Sequence, residues 1–234
     1  TYNKNRDWII SYRDQEGCLE TYDYQQSTDN PKDHFWSTVV KKCQGKVVAN
    51  SKYEFWYELK GDRTGKYLKR SLTKENELTT DVSCNEMGKP NVVARNGKAT
   101  RFDYFDNGLL KKRVSPDGEV TLLAYENPFK KVSRVQRGKA TTDFAYDTKG
   151  NLIRAANSDG HRVTLSYDNR GRIVSIEDQA KRRVNIKYEE RFGKPAFIER
   201  VDMGSIAITY NAKGDISSVK PVQGNASVAV QVAS

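Results

Sequence analysis

Histidine and methionine are nearly missing from this chain of 234 residues, with two of each, and cysteine occurs three times. The two histidines, His34 and His161, leave little material for acid–base chemistry near neutral pH. No G-x-S-x-G, P-loop or dinucleotide fingerprint occurs. An enzyme is therefore not expected, and no cofactor is called for. No CxxC pair exists and neither histidine lies near a cysteine in sequence, so no metal site is expected either. Long apolar runs are lacking too: none exceeds four residues. A membrane-crossing helix needs about 20 largely apolar residues, so no transmembrane segment is expected. The chain starts at Thr1, without a recognisable leader, and a longer parent polypeptide is expected.

The cysteines are Cys18, Cys43 and Cys84. Cys18 and Cys43 flank the most irregular stretch, Asp23 to His34. A disulfide across it would imply an oxidising compartment. Three buried free thiols are the alternative, and Cys84 is unpaired in both cases.

What is present is charge, tyrosine and glycine. The formal net charge is +10. Residues 1–50 hold seven Lys/Arg and seven Asp/Glu, whereas residues 51–200 hold 31 against 21, so the excess lies in the latter. The densest run is Lys181-Arg182-Arg183. Such a spread is an ordinary solvated surface, or one that attracts anionic polysaccharide or an envelope surface. Specific nucleic-acid binding is not expected, because no basic helix, finger or stacking motif accompanies the charge.

Six of the 13 tyrosines fall on a ruler. Tyr104, Tyr125, Tyr146, Tyr167, Tyr188 and Tyr210 are spaced 21, 21, 21, 21 and 22 residues apart. A glycine follows four residues later at Gly108, Gly150, Gly171 and Gly214. It is displaced by one at Gly193 and missing after Tyr125, where Pro128-Phe129 intervenes. Before each anchor the residues alternate, as in Val163, Leu165 and Tyr167, or Ile206, Ile208 and Tyr210. That is strand periodicity with one covered face. The Asp-x-x-Gly that follows suits a type I turn with a bulge, its Asp bonding nearby amides and its Gly taking positive φ. Asp117-Gly118 and Asp159-Gly160 turn the chain back again. Each unit is thus two antiparallel strands and two turns, about 21 residues long.

The stretches "YDTKGNLIRAANSDG" and "YDNRGRIVSI" resemble the YD repeats of Rhs-type proteins; related repeats occur in toxin-complex C subunits and teneurins. The resemblance covers residues 83–220, with "YENPFKKVSRVQRG" and "YEERFGKPAFIERV" as degenerate copies. It implies an all-β fold, an array of antiparallel hairpins forming a curled, twisted β-strip that in larger members spirals into a hollow shell. Larger Rhs proteins also carry an autoproteolytic D-P-x-G-L-type segment before a variable toxin, and no such segment occurs here.

Three sections are expected: a divergent β section over 1–82 with a loop insertion at about 23–35, the regular array over 83–220, and a tail or edge strand over 221–234. Repeat arrays need atypical ends to cover exposed edges. All three tryptophans, Trp8, Trp36 and Trp56, lie in the first section. In "KYEFWYELK", Tyr53, Phe55 and Tyr57 share one face, and Glu54, Trp56 and Glu58 the other. Trp36, Tyr53 and Trp56, with Arg182 and Arg183, are the candidate ligand contacts, since aromatic faces stack on sugars and cations. The expected role is a non-catalytic structural or binding module of a secreted, periplasmic or surface-displayed bacterial protein, contacting another cell or envelope component. Its partners would be other segments of a longer Rhs-type chain. A wall segment enclosing a toxin and a carbohydrate-binding module are the alternatives.

Overall fold

The computed structural model describes residue 2 and residues 8–222. These contain nineteen strands, and no helix occurs among the described residues. The chain forms two compact units, Thr1–Thr121 and Leu122–Ser234.

Unit 1 begins with β1 (Ser11–Arg13), β2 (Leu19–Gln26), β3 (His34–Cys43), β4 (Lys46–Leu59) and β5 (Lys66–Glu75). It continues through β6 (Leu78–Cys84), β7 (Pro90–Arg95), β8 (Lys98–Tyr104) and β9 (Leu110–Val114). Each of these pairs antiparallel with the next, as in Leu19↔Lys42, Trp36↔Glu54 and Trp56↔Arg70. The boundary between the units falls inside β10 (Val120–Ala124). Unit 2 holds β11 (Arg134–Arg137), β12 (Ala140–Tyr146), β13 (Leu152–Asn157), β14 (Arg162–Tyr167) and β15 (Ile173–Asp178). It closes with β16 (Arg183–Tyr188), β17 (Pro195–Arg200), β18 (Gly204–Tyr210) and β19 (Ile216–Val222). From β11 on, consecutive strands again pair antiparallel. The array of antiparallel hairpins is thus the architecture of both units.

The turn chemistry follows the repeat. In the loop after Tyr146, the Asp147 side chain accepts hydrogen bonds from the amides of Lys149 and Asn151, both at 2.8 Å. The Gly150 amide donates to the Asp147 carbonyl at 3.0 Å, and Gly150 sits at φ +83°. The ladder slips by one residue between Ala145 and Tyr146, which is the bulge. The same slip occurs at Tyr104, Tyr167, Tyr188 and Tyr210. Cys84 has it too, before its own Asn85-x-x-Gly88 turn. Cys84 therefore stands where the repeat has tyrosine.

Five of the six anchors have a further task. The Tyr104 hydroxyl donates to the Pro90 carbonyl, Tyr146 to Val132, Tyr167 to Leu152, Tyr188 to Ile173 and Tyr210 to Pro195, each at 2.8 Å. Four of these acceptors are the first residue of the preceding strand. Every such tyrosine thereby fastens the turn end of one strand to its neighbour, using a carbonyl the ladder leaves over.

In unit 2 the tyrosine-bearing face is apolar. Leu165 lies opposite Ile176, which lies opposite Val184; Ile186, Ile198 and Ile206 form a second row. All six are half-buried. The other face shows Arg154, Thr164, Glu177 and Arg183 in register. Among apolar residues described in either unit, only Cys18 and Phe197 are buried, and no side chain is completely enclosed. Among the described residues, each unit is a single layer of sheet without a second layer on it.

The first section differs in its long strands. β2 runs to Gln26 and β3 starts at His34, so the insertion expected at about 23–35 gives both of its ends to strands. Only Ser27 to Asp33 remain as loop. Cys18 and Cys43 are joined by a disulfide at the opposite end of this hairpin. Of the tail expected over 221–234, residues 221 and 222 belong to β19, and the remainder lies outside the described residues.

Candidate functional site

The register of β3, β4 and β5 gathers the aromatic candidates. His34 lies opposite Trp56, and Trp56 lies opposite Arg70. The His34 ring stacks on Trp56 with centroids 4.8 Å apart at 18°. The Arg70 guanidinium lies 4.8 Å from the Trp56 centroid, from the β5 side. Trp36 sits 5.4 Å from His34, carries the Lys52 ammonium at 4.9 Å, and donates from Nε1 to Gln25 Oε1 at 3.0 Å. Lys52, Trp36, His34, Trp56 and Arg70 thus form one continuous ladder over three strands.

Acids hold the ladder in place. Glu54 contacts His34 Nε2 and Lys52 Nζ, both at 2.8 Å. Burial works against the Glu54 charge, yet its hydrogen bonds to Lys52 and His34 outweigh it and keep the carboxyl below its ordinary value. Arg70 grips Asp81 with two bonds, at 2.9 and 2.6 Å. Both tryptophans are half-buried and their rings already carry cations. Tyr53 points to the opposite face, where its hydroxyl donates to Glu75 at 2.9 Å. The three aromatic candidates therefore do not make one platform.

Arg182 and Arg183 lie in unit 2 and are paired. Arg182 contacts Asp178 at 2.6 Å and Arg183 contacts Glu177 at 2.5 Å. Several other cations are taken up by the repeat itself. Lys89 lies 5.7 Å from the Tyr104 centroid, Lys131 5.6 Å from Tyr146, Arg172 4.4 Å from Tyr188 and Lys194 5.4 Å from Tyr210. Lys131 and Lys194 also donate to the carbonyls of Gly150 and Gly214. Part of the positive excess is hence internal to the array.

Some of the turn glycines are closely approached. A Cβ on Gly150 would stand 3.1 Å from the Phe129 ring, and one on Gly214 3.2 Å from Phe192. Phe129 and Phe192 come from the two turns that depart from the repeat. Each occupies the place four residues after its tyrosine where glycine is expected, and each nests on a glycine of a later turn.

The remaining cysteine, Cys84, is half-buried, and burial pushes its thiol up. Asp14, Glu16 and Cys18 cluster, but Cys18 is in the disulfide and Asp14 is held by Lys41 at 2.9 Å. No helix of the described residues is long and apolar enough to cross a membrane.

Residues 146–183 match the family model described as RHS Repeat. This stretch is similar to an Rhs repeat. Its tyrosine-fastened hairpins are the units described above, and the array extends them on both sides. No curated protein matches the chain. Among solved structures it is similar to TcdB2-TccC3 without its hypervariable C-terminal region, with a TM-score of 0.64 and 11% identity. That match covers 94% of this chain and 12% of the other. TcdB2-TccC3-TEV gives 0.56 at 13% identity, covering 94% and 15%. TcdB2-TccC3-Cdc42 gives 0.53 at 12%, covering 95% and 15%. At such identity the likeness is one of fold, and the chain spans only a small part of these structures.

Proposed function

We propose that this chain is a non-catalytic wall section of a larger exported Rhs-type protein, its hairpins extending a sheet that other segments of a longer chain continue and cover. The carrying observation is the single layer. In unit 2 the rows Leu165–Ile176–Val184 and Ile186–Ile198–Ile206 form an apolar face over which no second layer lies among the described residues of the unit. Half-buried apolar side chains in continuous rows on a single layer of sheet suit a surface that other segments cover. The fold likeness to structures of which the chain matches 12–15% agrees with that reading. So does the disulfide, which suits an oxidising compartment outside the cytosol. Within the wall, residues 1–82 serve as the divergent section and 83–220 as the regular array. Enclosure of a toxic polypeptide is the role that the Rhs resemblance suggests for such a wall.

Dye binding tests it. A fluorescent probe of apolar surface should light up strongly on the isolated chain and weakly, per mole, on the full parent polypeptide. Equal and low signals from both would remove the reading.

Contact with an anionic envelope surface is the second reading, favoured by exposed cations such as Arg154, which has no ion-pair partner among the described residues. It predicts binding to anionic polysaccharide at low salt that fades towards physiological ionic strength.

A further inference from the structure

A concavity of about 660 Å³ lies along β2 and β3 beside the ladder, with which it shares Trp36, and is rimmed by the 27–33 loop. Pockets for small molecules measure roughly 300–1,000 Å³. Trp8, Tyr24 and Phe35 supply its aromatic surface, Pro31 and Lys32 its rim, and Trp36 closes it from the edge. Gln26 lines it from β2, directly opposite Phe35.

Its rings are built in and still open. Trp8 and Tyr24 meet at 4.7 Å and 51°, and the Tyr24 hydroxyl donates to the Ile9 carbonyl at 3.0 Å. Phe35 is backed by Phe55 and Tyr57, each at 5.8 Å. Even so, Trp8 is 42%, Tyr24 39% and Phe35 37% exposed. The polar lining is one-sided. Gln26 and Lys32 are exposed and engage no partner among the described residues, Gln25 is bonded to Trp36 and Asp23, and of the two acids on the rim loop Asp33 is bound by Lys66 and Asp29 does not line the concavity. The concavity therefore offers donors and a positive charge, with no spare carboxylate among its lining residues.

We propose that this concavity binds an acidic sugar, with the pyranose ring against Phe35 and the Trp8–Tyr24 pair. Lys32 receives the carboxylate, and the Gln26 amide bonds a hydroxyl. Stacking on an aromatic face suits the C–H faces of a pyranose, and fixed polar groups at the margin set its orientation. An acidic ligand matches the Lys32 ammonium on the rim. The site stands independently of the wall reading, since it uses only side chains of the first section.

Calorimetric titration of the chain with a hexamannuronate and with neutral cellohexaose tests the assignment. Saturable binding of the uronate is expected, with the neutral sugar weaker. Phe35→Ala should weaken uronate binding about tenfold by removing a stacking surface. Gln26→Ala, at an exposed side chain whose loss leaves the fold intact, should weaken both sugars. Lys32→Gln should weaken the uronate several-fold and leave the neutral sugar unchanged. Arg182→Gln, in unit 2, should change nothing. Lack of saturation by either sugar at millimolar concentration overturns the proposal. So does uronate binding that is indifferent to both Gln26→Ala and Lys32→Gln, or that Arg182→Gln abolishes.

Discussion

The first section of unit 1 and the repeats of unit 2 solve one problem by different means. Both are single sheets with no second layer, so neither can rely on a deep core. In unit 2 the solution is periodic and local. A tyrosine hydroxyl fastens each turn end to the neighbouring strand, a glycine admits a side chain from an earlier turn, and a cation lies on several of the tyrosines. In β2–β5 it is aperiodic. A disulfide closes one hairpin, and a ladder of Lys52, Trp36, His34, Trp56 and Arg70 ties three strands across their width. A repeat reuses one modest device many times, whereas a section at the margin of the pattern concentrates stronger, unique ones.

Reduction of the Cys18–Cys43 bridge should separate the two regions most sharply. The cysteines are 25 residues apart in sequence. Closing a loop of that size contributes about 3 kcal/mol on the chain-entropy estimate. All three tryptophans lie in unit 1, so their fluorescence reports its unfolding alone. With reductant, the tryptophan transition should move to lower denaturant while hydrogen exchange in β13–β18 stays put. Unit 2 moving equally would show that the two regions are not supported separately.

The next effect concerns the anchor. Tyr167 is half-buried and gives its hydroxyl to Leu152. Tyr167→Phe should cost about 1 kcal/mol, the worth of one hydrogen bond. Tyr167→Ala should cost about 2–3 kcal/mol, below the range for a fully buried ring. A silent Tyr167→Phe in chemical denaturation would mean that packing alone, and not the carbonyl bond, fastens the turn.

Gly150 and Gly171 then test the nesting of turns. Both take positive φ, +83° and +79°. A Cβ at Gly171 meets nothing within 4 Å, whereas at Gly150 it meets Phe129 at 3.1 Å. Gly171→Ala should cost about 1 kcal/mol for backbone conformation alone. Gly150→Ala should cost about 2 kcal/mol, because a ring must also move. Equal losses would reduce the glycine to its backbone role.

Much of unit 2 was legible in the sequence because its information is local. Alternation in Val163-Leu165-Tyr167 gave the strand and its face, and Asp168 with Gly171 gave the turn. The departures were legible only as departures. The missing glycine after Tyr125 and the displaced one at Gly193 read as decay, yet Phe129 and Phe192 fill those places and nest on Gly150 and Gly214. Seeing that requires knowing that turns about 21 residues apart lie side by side. The ladder was out of reach for a related reason. Its members are brought together by the pairings His34↔Trp56 and Trp56↔Arg70, and no local pattern sets that register. The same alternation that placed Trp56 on the face of Glu54 and Glu58 could not show that His34 and Arg70 already occupy its ring.

The smallest effect probes the ladder by pH. Glu54 bonds both Lys52 and His34, and its folded value lies below the ordinary 4.5. As pH falls, the unfolded chain therefore takes up this proton before the folded one does. The stabilisation from Glu54 is complete above pH 4.5 and is lost as pH drops through the lower folded value. Glu54→Gln should cost about 1 kcal/mol at neutral pH, since it weakens a charge-assisted pair of bonds in a partly exposed site. The same substitution should cost progressively less under acid conditions, where the native carboxyl is itself neutral. Tryptophan-detected unfolding of both proteins from pH 7 to pH 3 would show the two curves converging. Curves that stay parallel would mean that the ladder stands on its aromatic and cationic members, with Glu54 only an ornament at its side.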